Sequence, residues 1–245
     1  MSGSFVLMIL ILASSIPVIA VYIWFRIAKY EITLIRFLLV LLIGAAAFFP
    51  ALVLQDFLNI SFSAGGRWPL FYQFFIRIAL TEELSRLLML TIFFLISGLI
   101  TKTNPVKPED DSSESCNFNT LKKGTAIGLI AGLGFSILES ARYAAYQMDI
   151  SIVLLRIFTA ALHGACGSRI GAAAVLFRTN PIQALLKIIT ATAIHGIYNF
   201  MVIIPGLPSI AAILIAVSAF FTAVIAIRGG WTDQPKTLDK TADNQ

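Results

Sequence analysis

The chain has 245 residues, of which 58% are hydrophobic and 13% charged, with a mean hydropathy of +0.87. A soluble domain carries about 25% charged residues and cannot hide this much apolar surface from water, so the chain reads as an integral membrane protein. Two cysteines exclude a disulfide-stapled scaffold, and 19 Phe with long aliphatic runs exclude a disordered chain; the net charge of +5 follows from basic cytoplasmic loops and calls for no nucleic acid.

A spanning helix needs about 20 predominantly apolar residues, and windows of that kind begin near Phe5, Ile32, Leu70, Thr125, Ile152, Ile182 and Leu207. The predicted fold is therefore all-α, a polytopic bundle of about seven transmembrane helices. Residues 1–230 form a single membrane domain, with its motif-bearing part at 69–203. The first window lacks a preceding Lys or Arg and is followed by Arg26 and Lys29, so it reads as a retained anchor and not as a signal peptide. Asn59 to Trp68 is a Ser- and Gly-rich loop. Residues 101–120, with Pro105, Pro108 and an acidic run from Glu109 to Glu114, have linker composition, and Cys116 there reads as a reduced bystander. Residues 231–245 are a polar tail. Trp24, Trp68 and Trp231 sit near span ends, as interfacial anchors do. Basic loop residues collect on one side (Arg26, Lys29, Lys122, Lys123, Arg178, Arg228 and others), against Arg67 on the other, which places the N-terminus outside and the C-terminus in the cytoplasm.

Both histidines, His163 and His195, fall inside apolar spans, as do three of the thirteen acids, Glu82, Glu83 and Glu139. An ionisable group at membrane depth costs roughly 2.5 to 3.5 kcal/mol on insertion scales, so these groups are expected to meet one another. Counted from the span ends, Glu82, Glu139, His163 and His195 all lie ~12 to 20 Å deep in one layer, somewhat toward the external side. Glu139 follows the stripe Gly124, Gly128, Gly132 at helical spacing, a small-residue face that admits a close neighbour and points Glu139 into the bundle. His163 shares its face with Thr159 and Gly167, and His195 with Thr192, Tyr198 and Asn199.

Glu82 and Glu83 precede Arg86 by four and three residues, so the guanidinium can pair with one carboxylate and leave the other less compensated. Adjacent carboxylates in a low-dielectric site suit general acid–base chemistry. Two histidines and a glutamate on separate helices equally suit a zinc ion with an open position. Arg142 and Arg156 read as structural or snorkelling cations, and Cys166 as a buried thiol.

The segments Glu82-Glu83-Leu-Ser-Arg86, Phe135-Ser-Ile-Leu-Glu139, His163-Gly-Ala-Cys-Gly167 and His195-Gly-Ile-Tyr-Asn199 together resemble the PrsW family of intramembrane proteases, relatives of the CAAX-processing (CPBP) proteases. They match, in order, the family patterns EExxK, FxxxE, HxxxG and HxxxN. Two positions depart: Arg86 stands for the usual lysine, and Ser140 for the Asn that usually follows the FxxxE glutamate. The resemblance implies a multi-pass endopeptidase of the bacterial cytoplasmic membrane that cuts a membrane-anchored protein, for example an anti-sigma factor. It implies that Glu82 or Glu83 activates a water, that His163, His195 and Glu139 bind a metal such as Zn2+ or position the water, and that Asn199 orients it or stabilises the oxyanion. Arg86 is the supporting cation.

Two readings from other classes compete. One is a catalytically silent scaffold like the seven-span subunit of gamma-secretase, against which the Glu82-Glu83 pair argues. The other is a proton or metal transporter, since intramembrane acids and histidines also build relays; the chain lacks the symmetric halves expected of one.

Overall fold

The structure, a computed structural model, describes residues 3–30, 32–60, 67–99, 111–146, 151–203 and 209–228. The side chains of 3, 4, 6, 67, 111–118, 144–146, 151–154, 203 and 209 lie outside that description, as do the tail at 231–245, Trp231, the first half of the expected linker and the side chain of Cys116. The described residues are mostly helical, with no strand among them: α1 (Gly3–Ile27), α2 (Leu34–Ala46), α3 (Phe48–Phe57), α4 (Arg67–Phe71), α5 (Thr81–Ile96), α6 (Asp111–Tyr146), α7 (Ser151–Leu176), α8 (Pro181–Ile203) and α9 (Ser209–Arg228). α6 begins inside the segment expected as linker and extends it into helix from Asp111. The chain is a multi-pass membrane protein. Among the described residues five helical stretches are long and apolar enough to cross a bilayer: Leu7–Ile27, Leu34–Phe57, Asn119–Tyr143, Pro181–Val202 and Ile210–Arg228.

Two of the rods are composite. α2 and α3 meet at Ala47, and Pro50 in the first turn of α3 cannot donate to the carbonyl one turn back, so the helix is interrupted within the apolar stretch Leu34–Phe57. α4 runs into α5 through a π-helical segment, Tyr72–Leu80. Where its wide turns return to α-helix, the Thr81 hydroxyl donates to the carbonyls of Arg77 and Ile78 (2.7 and 2.9 Å), satisfying groups that the register change displaces.

α6 is the central helix. In its apolar stretch 78% of residues are buried, against 28–33% in the other four, whose outer faces carry exposed Leu, Ile and Phe suited to lipid. Its glycines explain how it is surrounded. A Cβ on Gly128 would strike the Gly167 carbonyl, one on Gly132 the His163 carbonyl, and, from the other side, one on Gly171 the Gly124 carbonyl. The two backbones therefore touch along an antiparallel seam in which glycines spaced by four on α6 meet Gly167 and Gly171 of α7. On its opposite face Gly134 admits the Leu41 carbonyl of α2, and Gly44 of α2 admits that of Ala131. This packing fixes the axial positions of Glu139 on α6 and His163 on α7.

Candidate active site

Glu82, Glu83 and Arg86 lie on the first turns of α5 directly after the π segment, Glu139 on α6, His163 on α7 and His195 on α8; all six are buried. They form one connected network. Arg86 Nη2 donates to Glu83 Oε1 at 2.6 Å and lies 4.0 Å from Glu82 Oε2, so the arginine pairs with one carboxylate of the two. Its Nη1 donates to the His163 carbonyl (3.2 Å) and its Nε to that of Glu82 (3.3 Å), while the guanidinium lies 4.7 Å from the centre of the Phe135 ring. A fully buried cation is tolerable only with such complete satisfaction. The fork of Arg86 thus ties α5 to α7, which a lysine ammonium could not do with the same geometry.

Each histidine uses one ring nitrogen to reach a carboxylate. His195 Nδ1 is 2.8 Å from Glu83 Oε1, and His163 Nε2 is 2.8 Å from Glu139 Oε2. The rings sit edge to face with centroids 4.8 Å apart. Gly196 leaves room for the Phe75 ring of the π segment against α8, beside His195. One turn below, Thr159 and Tyr198 share a 2.7 Å hydrogen bond that joins α7 to α8 on the same faces.

The inner side of this arrangement is open to a ligand. Glu82 Oε2, His163 Nδ1 and His195 Nε2 are buried without a hydrogen-bond partner, and these same three residues offer ligand atoms all within 4.8 Å of one another. The donor set, two imidazoles and one carboxylate backed by carboxylates on the outer ring nitrogens, fits a divalent metal with N/O preference. Glu139 is outside this group of three: its Oε2 faces the outer nitrogen of His163 and is shared with Arg156 Nη1 at 3.2 Å. The family resemblance grouped Glu139 with the histidines; in the fold it stands behind His163, on the ring nitrogen that faces away from Glu82.

A cavity of about 380 Å³ leads to the site, with Gln55, Arg77, Glu82, Glu139 and Arg142 among its walls. Three of its polar residues were not singled out in the sequence. Gln55 on α3 donates to Glu82 Oε1 (3.0 Å), Arg77 Nε donates to the Gln55 carbonyl (2.9 Å), and Arg77 Nη1 to Gln73 Oε1 (3.1 Å). The signal for Gln55 was present, a polar residue inside an apolar span, but its partner lies 27 residues away. Arg156, read as structural, is an ion-pair partner of Glu139 and stacks on Tyr143 with its guanidinium 4.4 Å from the ring centre. Asn199, one turn beyond His195, is half-buried and joins none of these bonds. Ser140 is removed from the network: it accepts a 2.6 Å hydrogen bond from Ser14 of α1. Cys166 is buried and donates weakly to the Ala191 carbonyl (3.5 Å).

A model of the PrsW family of intramembrane metalloproteases matches residues 34–227. The chain belongs to the PrsW family. Neither a curated protein nor a solved structure matches it. The matched region runs from α2 to α9 and contains every residue of the network, so the PrsW chain is an intramembrane protease, a hydrolase acting on a protein substrate in the bilayer.

Proposed function

We propose that this PrsW protein cuts a single-pass, membrane-anchored protein of the bacterial cytoplasmic membrane, with Glu82 as the carboxylate that takes the proton of the attacking water. The observation that carries the assignment is that Glu82 has one oxygen without a partner, 3.6 Å from His195 Nε2, and also lines the cavity. An ionised carboxylate only accepts hydrogen bonds, so Glu83 and Glu139 hold the protons on His195 Nδ1 and His163 Nε2. The other ring nitrogens then present lone pairs inward, on the side from which His163 and His195 would ligate a metal. As the water oxygen bonds to the scissile carbonyl carbon, its proton passes to Glu82; it returns to the amide nitrogen as the C–N bond breaks. Asn199, one turn beyond His195, is the motif's side-chain amide and the group assigned to the developing oxyanion.

The residues that would hold a metal are Glu82, His163 and His195, with Zn2+ the ion that this donor set favours. Such an ion supplies Lewis-acid polarisation of the carbonyl and acidifies a bound water. The family's description as metalloproteases supports the metallo type over a glutamate-only reaction.

We read seven spans with the N-terminus outside, a reading supported by seven helical rods among the described residues and by the Lys and Arg bias of the loops. The two rods that are not among the five long apolar stretches are those that carry Glu82, Glu83 and Arg86 in one case and His163 in the other. In this orientation the site lies nearer the outer leaflet. Membrane proteomics of cells carrying the parent or the Glu82→Gln chain tests the proposal: the substrate is the single-pass protein whose full-length form accumulates with the variant. Indistinguishable membrane proteomes sink it.

A further inference from the structure

A second cavity, of about 230 Å³, lies between α6, α7, α8 and α9 and shares no wall with the first. Lys122, Arg169 and Lys187 line it together with Thr125, Ser168 and Thr222, and no acid is among its described walls. Lys122 is 7% exposed and Lys187 half-buried. Arg169 is held in place by donating to the Ala165 carbonyl (2.8 Å) and to Thr222 Oγ1 (2.7 Å). A guanidinium has five N–H donors, so three remain beyond these two bonds. Ala172, Ala223 and Ala226 keep the opposite walls low.

We propose that this cavity binds a phosphate group, that of an anionic phospholipid headgroup or free inorganic phosphate. Three cations converging from three helices favour a compact anion, and the fixed fork of Arg169 matches phosphate oxygens. The cavity lies at the end of the bundle where α6 and α8 begin and α7 and α9 end, alongside Lys123, Arg178 and Arg228, and basic pockets between spanning helices suit anionic headgroups. The occupant would bridge four helices, including the two that carry the histidines, without touching the reacting groups.

Thermal unfolding and native mass spectrometry of the full-length protein in neutral detergent test this with phosphatidylglycerol, phosphatidylcholine and inorganic phosphate as probes. Phosphatidylglycerol is expected to stay bound and to raise the unfolding temperature. Lys187→Gln, at a half-buried position that tolerates the change, weakens binding about fivefold, the worth of one basic contact; Arg169→Gln abolishes it. An equal shift from inorganic phosphate, lost in the same variants, identifies free phosphate as the source. A response to phosphatidylglycerol that is unchanged in Lys187→Gln, absent in the parent protein, or matched by phosphatidylcholine overturns the proposal. The readout is binding, so it stands or falls separately from the protease assignment.

Discussion

Glu82 Oε2 on α5 and His195 Nε2 on α8 face one another at 3.6 Å, and neither has a hydrogen-bond partner. Every other polar atom of the network apart from Glu83 Oε2 and His163 Nδ1 is engaged or open to the cavity. A buried polar atom without a partner costs on the order of 1–3 kcal/mol, and a site that concentrates four of them is built for a ligand and not for stability.

Glu82→Gln keeps the size of the side chain and its bond from Gln55 but removes the proton acceptor. Cleavage of the accumulating substrate is expected to fall by about 10²- to 10⁴-fold, with the protein still folded in detergent. Reconstituted turnover within a few-fold of the parent would remove Glu82 from the chemistry.

Metal content separates the inner triad from the carboxylates behind it. Glu82→Ala and His195→Ala remove proposed ligands and are expected to purify without stoichiometric zinc. Glu139→Ala leaves the triad in place but loosens the orientation of His163 and leaves buried Arg156 without its carboxylate, so zinc affinity drops about 10- to 100-fold and the unfolding temperature falls with it. Elemental analysis and competition with a chelator measure both; complete loss in Glu139→Ala with full retention in Glu82→Ala reverses the ligand assignment.

Gln55 acts through Glu82 as a positioning residue. Gln55→Leu removes a hydrogen bond to a charged group, worth about 1.5–3 kcal/mol, which corresponds to about a tenfold to hundredfold loss if it is spent on orientation. That loss belongs in kcat, with KM and unfolding temperature near those of the parent. A change confined to KM assigns Gln55 to substrate contact instead.

The α6–α7 seam predicts a stability effect with no chemical component. Gly128→Leu places a side chain against the Gly167 carbonyl and cannot be accommodated without separating the helices. Overpacking costs about 1–3 kcal/mol or more, read as a lowered unfolding temperature in detergent. Ala at the lipid-facing Leu88, 53% exposed, is the matched control and is expected to change little.

Membrane residence, helical content, the close α6 seam and the burial of Glu82, Glu83, Glu139, His163 and His195 were determined by the sequence itself. In lipid every backbone polar group must be satisfied locally, so a run of apolar residues permits only a helix, and a Glu or His inside it has few possible partners. Spacing also anticipated that Arg86 would neutralise one glutamate of the adjacent pair, because residues three and four apart on a helix are neighbours.

Which carboxylate faces the inner nitrogens of the histidines was decided only by tertiary structure. Glu82 turns to His195 and Glu139 to the outer nitrogen of His163, an outcome that depends on how three helices are rotated about their own axes. That rotation is set by the Gly128–Gly167 contact, the π turns before Thr81 and the break at Pro50 that brings Gln55 to Glu82. None of these is a property of one helix. Periodicity fixes which side chains share a stripe within a helix, whereas the meeting of stripes on different helices follows from backbone packing, and only the folded bundle contains it.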